Sequence, residues 1–565
     1  MTITAPPTAS TPLPRRTSGV THRLVLTVLV LGALLGLALL ALSLVPSATL
    51  AARLLRASGE ARAGAYTQDL TTYLDQRLRT AAGLVLILVA GLAVTRLACE
   101  ELVESALTDI SAVPRPGRRT VLLAALPTLL ALVLRLQFIG QPMRYDEALT
   151  FNEFASRPLY YGLSFYPDPN NHLLNTLLMH LVFVMGGNQP WLLRLPALVA
   201  GVLLVPASYW LARLLYGEGA AILAAVLVAV SSYVIEYSTN ARGYTLQALC
   251  FVLMLALTVI AARRASLSAL LLAAVVAAIG AYAVPTMLYG VVIAGAWLLI
   301  SRQISLRHLV ASGLVLGLLS VLLYLPPLII SGPDNLAANR FVVPLPVGDL
   351  PAELARSLIS TWGFWNRDVP WPLAALLVFG FLVTTVDELR HRQLPLGLLA
   401  VAVCLLVVLL QRVAPFERVW LFLLPLYLVI ASAGLARFVD GRLLGLIFGG
   451  VLTFTTLTSG AILASTETGV FPDAEGVART LAPRLAPDDA VMTELPASLP
   501  ELQYYFPRFG LPIIVLVRGA DEAQNLWVVA PPGQAPDVDG WPNATEVQRF
   551  PTATLFELKR AQANR

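Results

Sequence analysis

Thirteen long apolar segments constrain the fold of this chain more than any single motif does. A helix needs about 20 residues to cross the hydrocarbon core of a bilayer, and each segment is close to that length. Hydrophobic residues make up 57% of the 565-residue chain and charged residues only 13%. The sequence therefore predicts an α-helical polytopic membrane protein. The predicted spans are 24–46, 81–98, 120–139, 192–214, 219–236, 244–262, 266–283, 285–300, 306–328, 371–387, 395–411, 418–437 and 441–463.

Arginine in the short connections predicts the orientation of these spans. Clusters such as 115–119, 263–264, 302–307 and 390–392 fall on one side of the predicted membrane. The positive-inside rule assigns that side to the cytoplasm, with the amino terminus. The loop 47–80 also contains arginines and does not follow the rule. We therefore expect a protein of the cytoplasmic membrane whose long loops 140–190 and 329–370 and carboxy terminus lie outside.

The domain organisation follows from these spans and from two changes in composition. The stretch HLLNTLLMHLVFVMG, residues 172–186, is apolar but short and contains two histidines and an asparagine, so we expect it to lie at the membrane interface. After residue 465, short apolar runs alternate with Pro, Gly and Asp, which is typical of a small α/β domain. The predicted units are a disordered cytoplasmic tail (1–23), two spans with an outer loop (24–119), a central module (120–330) with the first outer loop 140–190, an outer loop with four spans (331–464), and an extracytoplasmic α/β domain (465–565).

Several kinds of site are not indicated. The three cysteines, Cys99, Cys250 and Cys404, lie in or beside apolar runs without paired spacing, so we interpret them as packing residues. No basic stripe with interleaved aromatic residues occurs, and nucleic acid is not an expected partner. The carboxy-terminal tail contains no recognisable catalytic motif.

Two adjacent carboxylates, Asp146 and Glu147, follow the outer end of the span 120–139 by a few residues. Carboxylates beside an apolar wall tend to have raised pKa values and are then suited to act as bases near neutral pH. The alternative is that the pair only terminates a span in solvent.

Other polar residues are predicted on the same side of the membrane. Asn171 and His172 stand at the start of the interfacial helix, and a histidine there can be a simple cap or a catalyst. Arg242 and Tyr244 lie in a short outer connection, and Arg418 at the outer entry to a later span. Each arginine can anchor a helix at the interface or bind phosphate oxygens with its planar fork.

These residues, taken in order, resemble a known family. The Asp-Glu pair, NNHLLNTLL (170–178), LLRLPALVAG (192–201) and YSTNARGYTL (237–246) resemble the GT-C membrane glycosyltransferases. The similarity is greatest to family 39, which includes the protein O-mannosyltransferases, with the aminoarabinose transferases more distant. It covers roughly residues 120–330, and the first two spans are additional.

The resemblance implies a GT-C fold and transfer of a hexosyl or pentosyl group from a polyprenyl phosphate to an extracytoplasmic lipid, polysaccharide or protein acceptor. It implies that Asp146 is the base, Glu147 its neighbour, and Arg242 a ligand of the lipid phosphate. We therefore predict Asp146 and Glu147 as catalytic residues, and we expect Asn171, His172, Tyr244 and Arg418 to bind substrate together with Arg242. A single displacement would invert the anomeric centre.

Two departures from the family pattern affect the expected mechanism. His172 is followed by two leucines where many relatives have two prolines, and Asn240 replaces a glutamate. The missing glutamate removes a metal or sugar contact, so we favour a mechanism without a metal. The alternatives are a non-catalytic scaffold subunit with the same fold and a transporter, although no broken or charged spans recur in two halves as in transporters.

Overall fold

The computed structural model describes residues 19–58, 67–111, 117–167, 169–337, 343–467 and 469–559. Most of these residues form helices, and a small sheet lies near the carboxy terminus. The predicted architecture, an α-helical polytopic membrane protein with a small α/β domain after the last span, is confirmed. Most of the predicted tail, residues 1–18, lies outside the described residues, and the first helix already begins at Gly19.

Among the described residues before the central module there are four helices: α1 (Gly19–Leu42), α2 (Ser47–Ser58), α3 (Thr67–Val94) and α4 (Arg96–Ser111). The long helices α1 and α3 pair closely, because Gly32 and Gly36 of α1 lie against side chains of α3. A Cβ atom at Gly32 would be 2.7 Å from Val89, and one at Gly36 would be 2.6 Å from Leu86. Small residues at such positions let membrane helices approach each other.

In the described part of the chain, the membrane domain continues with twenty α-helices. Those of its first half are α5 (Arg118–Phe138), α6 (Tyr145–Thr150), α7 (Leu159–Gly162), α8 (Leu173–Gly186), α9 (Pro190–Leu193), α10 (Leu195–Tyr216), α11 (Glu218–Val230), α12 (Ser232–Ser238), α13 (Tyr244–Arg264) and α14 (Leu267–Ala283). Those of its second half are α15 (Met287–Ser301), α16 (Leu306–Leu323), α17 (Leu325–Ile330), α18 (Pro333–Ala337), α19 (Leu350–Asn366), α20 (Trp371–Arg390), α21 (Leu396–Gln411), α22 (Leu423–Leu435), α23 (Gly441–Thr458) and α24 (Ala461–Ala464). A π-helical turn, Phe151–Ala155, extends α6.

Every predicted span overlaps one of these helices. Within the described ranges, eight helices are long and apolar enough to cross a membrane, and α11 with α12 forms a ninth span if the bent pair is counted as one. The other four predicted spans coincide with shorter apolar helices: α14, α15, α21 and α22. The interfacial helix predicted at 172–186 is α8, which has 14 residues.

The predicted span 219–236 is broken rather than continuous. Helices α11 and α12 meet at an angle of 59° around Ser231. The break leaves the carbonyl of Ala229 outside the regular helical pattern, and Arg135 of α5 donates to it from Nη1 at 3.0 Å. An arginine buried in the bundle therefore satisfies a backbone group at the break, which a lipid environment would otherwise leave unpaired.

The carboxy-terminal domain contains α25 (Ala474–Leu481), α26 (Leu499–Tyr505) and four strands: β1 (Ala490–Thr493), β2 (Asn525–Ala530), β3 (Asn543–Arg549) and β4 (Thr554–Lys559). The strand order is β1-β2-β4-β3, with β1 parallel to β2 and the other pairs antiparallel. Helix α26 packs on α6, and the Tyr505 hydroxyl accepts a hydrogen bond from the Met143 backbone N–H at 3.1 Å. The domain is thus attached directly to the loop that carries Asp146 and Glu147.

Candidate active site

Helix α6 places the two adjacent carboxylates in different environments. Both lie in its first turn, where the backbone N–H of Arg144 donates to Glu147 Oε2 at 3.0 Å. The Glu147 side chain is fully buried, whereas 13% of the Asp146 side chain is exposed. The two residues therefore have different structural roles although they are adjacent in the sequence.

Glu147 is bound on both oxygens by a buried arginine. Arg194 donates from Nε to Oε1 at 2.8 Å and from Nη2 to Oε2 at 2.7 Å, and the Ala241 N–H donates to Oε1 at 2.5 Å. Burial alone would raise the pKa of the Glu147 carboxyl, but the charge and hydrogen bonds of Arg194 hold this pKa below its ordinary value. The remaining donors of Arg194 bind three backbone carbonyls of the preceding turn, those of Ile139, Gln141 and Pro142.

The catalytic role that the sequence suggested for Glu147 therefore stays a prediction, and its contacts favour a positioning role. A carboxylate whose pKa is lowered by a buried cation is a weak base. The expectation that the carboxylates of this pair have raised pKa values is wrong for Glu147, because the Arg194 partner outweighs the effect of burial.

Asp146 presents an oxygen without a hydrogen-bond partner. Its Oδ2 atom is buried and accepts no hydrogen bond from the part of the chain that the structure describes. The nearest cation is Arg418, whose Nη2 lies 3.8 Å from Oδ2, too far for a direct hydrogen bond. Asp146 thus combines an available acceptor atom with a neighbouring positive charge.

Arg242 and His172 lie side by side, and Arg242 has a donor without an acceptor among the described residues. One arm of the buried Arg242 is occupied, since Nη1 donates to Thr150 Oγ1 at 2.6 Å and to the Asn170 carbonyl at 2.8 Å. Its Nε has no acceptor among the described residues, and its Nη2 lies 3.5 Å from His172 Nε2. The Gly243 N–H donates to His172 Nδ1 at 2.9 Å, so the proton of a neutral ring is assigned to Nε2.

His172 is neutral in this environment. Burial, followed by the charges of Arg242 and Arg418, lowers the pKa of His172 well below its ordinary value. With the proton on Nε2, this N–H and the Nη2 of Arg242 face each other at 3.5 Å as two donors, so neither satisfies the other. Buried donors of this kind are costly unless an acceptor satisfies them, and an anionic oxygen would do so.

Tyr244 and Arg418 complete the cluster. The Tyr244 ring meets the His172 ring edge-on at 4.8 Å between centroids. Arg418 donates from Nε to the Tyr244 hydroxyl at 3.1 Å, and its guanidinium lies over the Phe416 ring at 4.6 Å. The structure therefore brings Asp146, His172, Arg242, Tyr244 and Arg418 together, although four different parts of the sequence supply them.

Asn171 lies nearby but supports the loop. Its Nδ2 donates to the carbonyls of Gly162 and Phe165, both at 2.8 Å, and its Oδ1 accepts from Thr176 Oγ1 at 2.7 Å. Protein groups thus occupy both ends of the amide. Its predicted contact with substrate stays a prediction, and these hydrogen bonds favour a role in shaping the loop before α8.

A segment after the last span crosses this cluster, and we call residues 462–467 and 469–470 the strap. Arg144 donates to the carbonyls of Ile462 at 2.6 Å and Ser465 at 3.1 Å and forms a β-bridge with Val470. Gly469 has a φ of +73°, and a Cβ atom there would lie 2.5 Å from the Cβ of Tyr145. The strap therefore passes directly over the start of α6, and Arg418 Nη1 donates to the carbonyl of its Glu467 at 3.2 Å.

Comparison with known proteins relates this arrangement to a fold. Residues 172–330 match the family model described as dolichyl-phosphate-mannose-protein mannosyltransferase. The structure of ArnT from Cupriavidus metallidurans in the apo state has a TM-score of 0.52 and 12% sequence identity, over 77% of this chain and 97% of that chain. The chain has the GT-C fold.

Two further GT-C structures align with lower TM-scores. ArnT from Cupriavidus metallidurans bound to undecaprenyl phosphate has a TM-score of 0.47 and 12% identity, over 77% of this chain and 97% of that chain. The Archaeoglobus fulgidus oligosaccharyltransferase in complex with zinc and sulfate has a TM-score of 0.44 and 12% identity, over 72% of this chain and 68% of that chain. No curated protein sequence matches the chain. The resemblance to the GT-C proteins that the sequence motifs indicated is confirmed.

The candidate site also contains residues that the sequence did not indicate as site residues. Arg194 lies within the LLRLPALVAG motif, but only the structure pairs it with Glu147. Glu236 of α12 binds Arg144 at 3.0 Å and Arg367 at 2.6 Å, so a buried ion-pair chain supports the turn before α6. Within the described ranges, no group of three His, Cys, Asp or Glu side chains could hold a metal ion. The positive charge beside Asp146 belongs to the guanidinium of Arg418. The predicted metal-free mechanism stays a prediction.

The carboxy-terminal domain adds another buried acid close to α6. Glu501 of α26 is fully buried, and neither carboxyl oxygen has a hydrogen-bond partner among the described residues. Burial, assisted by the charges of Asp146 and Glu147, raises the pKa of Glu501 to about 8. The Glu501 carboxyl is therefore mostly protonated and uncharged at neutral pH. If it were ionised, its negative charge would repel the carboxylates of Asp146 and Glu147 on α6.

Proposed function

We propose that this protein is a membrane glycosyltransferase that moves a glycosyl group from a polyprenyl phosphate to an acceptor hydroxyl outside the cytoplasmic membrane. The observation that carries the proposal is the unpaired Asp146 Oδ2 beside Arg418, in a cluster that also holds the unpaired Nε of Arg242 and the neighbouring His172. A base for an alcohol and a binding place for a phosphate are thus adjacent. The GT-C fold supports the same reaction class.

Each group has a distinct part in the reaction. The acceptor hydroxyl gives its proton to Asp146 as its oxygen forms a bond to the anomeric carbon. The bond between that carbon and the phosphate oxygen breaks at the same time, and its electron pair leaves with the lipid phosphate. Arg242, Arg418 and the His172 Nε2–H stabilise the charge that develops on this leaving group. Attack from the opposite face inverts the anomeric centre.

The orientation in the membrane belongs to the same proposal. The positive-inside rule supports an extracytoplasmic location for α6, the strap and the carboxy-terminal domain. A polyprenyl donor then reaches the site from the lipid, and a lipid, polysaccharide or protein acceptor reaches it from the aqueous side. The transferred group is a hexose or a pentose.

The test compares two variants in a transfer assay with the purified protein in lipid nanodiscs and a panel of undecaprenyl-phosphate sugars. Asp146→Asn should lower transfer by about 10²–10⁴-fold, the usual range for general base catalysis, and leave donor binding unchanged. His172→Asn should mainly weaken donor binding. Asp537→Asn, at an exposed aspartate of the carboxy-terminal domain, is the matched control.

Two results would contradict the proposal. Normal transfer by Asp146→Asn with complete loss in His172→Asn would assign the base to the histidine. Absence of donor binding in the wild-type protein would instead favour a scaffold subunit.

A further inference from the structure

Glu467 of the strap lies beside Arg418, which also adjoins Asp146. Arg418 donates from Nη1 to the Glu467 carbonyl at 3.2 Å, and its Nη2 lies 3.8 Å from Asp146 Oδ2. One guanidinium therefore connects the candidate base with a second acidic residue. That residue comes from a part of the chain in which the sequence indicated no catalytic motif.

Aromatic side chains form a continuous wall from the phosphate-binding donors to Glu467. The ring centroids of His172 and Tyr244 are 4.8 Å apart, those of Tyr244 and Tyr237 are 5.2 Å apart, and those of Tyr237 and Tyr233 are 5.1 Å apart. At the end of the wall, the Tyr233 hydroxyl donates to Glu467 Oε1 at 3.0 Å. Because Tyr233 and Tyr237 are fully buried, this wall holds the carboxyl group in a defined orientation.

The second oxygen of Glu467 is available. Its Oε2 atom is buried but accepts no hydrogen bond from the residues that the structure describes. Burial and the charge of Glu236 raise the pKa of Glu467 to about 7, against the lowering effects of the nearby Tyr237 hydroxyl, the charge of Arg418 and the hydrogen bond from Tyr233. A sugar hydroxyl suits such a group, because it can donate to the carboxylate and accept from the carboxylic acid.

We propose that Glu467 is a specificity-determining residue whose Oε2 hydrogen-bonds a hydroxyl of the donor's glycosyl group. This inference rests on the proposed function, which places the lipid phosphate at Arg418. The glycosyl group is bonded directly to that phosphate, so it lies among the groups that surround Arg418. Asp146 is needed there for the acceptor proton, and the carboxyl of Glu467 remains for sugar recognition.

The experiment separates binding of the sugar from binding of the lipid phosphate. Dissociation constants are measured in nanodiscs for undecaprenyl phosphate and for undecaprenyl-phosphate mannose, glucose and arabinose. We expect the wild-type protein to bind at least one of the sugar lipids more tightly than undecaprenyl phosphate. Glu467→Gln should reduce that preference about tenfold or more, the scale of one hydrogen bond to a charged group. Affinity for undecaprenyl phosphate itself should change less than about twofold.

Two further variants support the interpretation. Tyr233→Phe removes the hydroxyl that orients Glu467, so it should reduce the same preference by a smaller factor. Glu494→Gln, at an exposed glutamate of the carboxy-terminal domain, should leave the preference unchanged.

The outcomes distinguish this inference from the proposed function. An unchanged preference in Glu467→Gln would overturn the inference and leave the proposed function intact. Equal wild-type affinity for undecaprenyl phosphate and all three sugar lipids would also overturn it. Failure of the wild-type protein to bind undecaprenyl phosphate would refute the proposed function itself.

Discussion

Replacing Glu147 with glutamine tests whether the Asp-Glu motif contains a structural anchor beside a catalytic group. The Glu147 carboxylate accepts four hydrogen bonds, two from Arg194 and one each from the backbone N–H groups of Ala241 and Arg144. Glutamine retains one oxygen, so two of these donors would face an amide NH₂ group. The positive charge of the buried Arg194 would also lose its counter-ion.

The expected destabilisation is large for a change of one atom. Removing one partner of a buried ion pair typically costs about 3–5 kcal/mol in the free energy of unfolding, because the remaining charge stays buried. Asp146→Asn is the matched control, since it makes the same chemical change one residue away at a carboxylate without hydrogen bonds to Oδ2. We expect the control to lie within about 1 kcal/mol of the wild-type protein.

Reversible unfolding by sodium dodecyl sulfate in mixed micelles would measure both variants. The pKa of Glu147 is lowered in the folded protein, so its stabilising contribution is complete above its ordinary pKa of 4.5. That contribution is lost as the pH falls through the lowered pKa. The difference between wild type and Glu147→Gln should therefore be constant near neutral pH and shrink in acid. Equal stabilities of Glu147→Gln and Asp146→Asn at pH 7 would refute the reasoning.

Three other predictions concern donor binding, pH and topology. Arg242→Ala should weaken undecaprenyl phosphate binding by about 1.5–3 kcal/mol, and Arg242→Lys should recover only part of it, as a binding titration would measure. Because burial raises the pKa of Glu501 to about 8, wild-type stability should fall as the pH rises from 4.5 to 8, and Glu501→Gln should be the more stable protein at pH 8 in the unfolding assay. Cysteines introduced at the exposed residues Tyr160 and Ala535 of a cysteine-free variant should react with an impermeant thiol reagent in intact cells, and labelling only after permeabilisation would reverse the topology.

Hydropathy predicted the helices well because a membrane helix satisfies its own backbone within one stretch of sequence. The break between α11 and α12 was missed for the opposite reason. No glycine or proline marks Ser231, and the carbonyl at the break is satisfied by Arg135, a residue 94 positions earlier in the chain. Local sequence therefore predicts that a span exists more reliably than it predicts that the span is straight.

The site was predictable in part for a similar reason. Asp146, His172 and Arg242 stand in short motifs with unusual charge beside apolar runs, and the structure brings them together. The different roles of Asp146 and Glu147 were not predictable, because they depend on where Arg194 and Arg418 lie in space. Glu467 was missed because the residues that surround it are distant in the sequence. The Tyr233 hydroxyl that donates to it belongs to α12, more than 200 residues earlier in the chain.

The strap also has a consequence for biosynthesis. Arg144 is separated from its acceptor carbonyl at Ile462 by 318 residues of chain. At translation rates of about 5–20 residues per second, the ribosome needs roughly 15–60 s to make the intervening polypeptide. During that time the guanidinium has none of its strap partners, and the start of α6 is uncovered. A nascent chain that ends before the strap therefore lacks the backbone acceptors that hold Arg144.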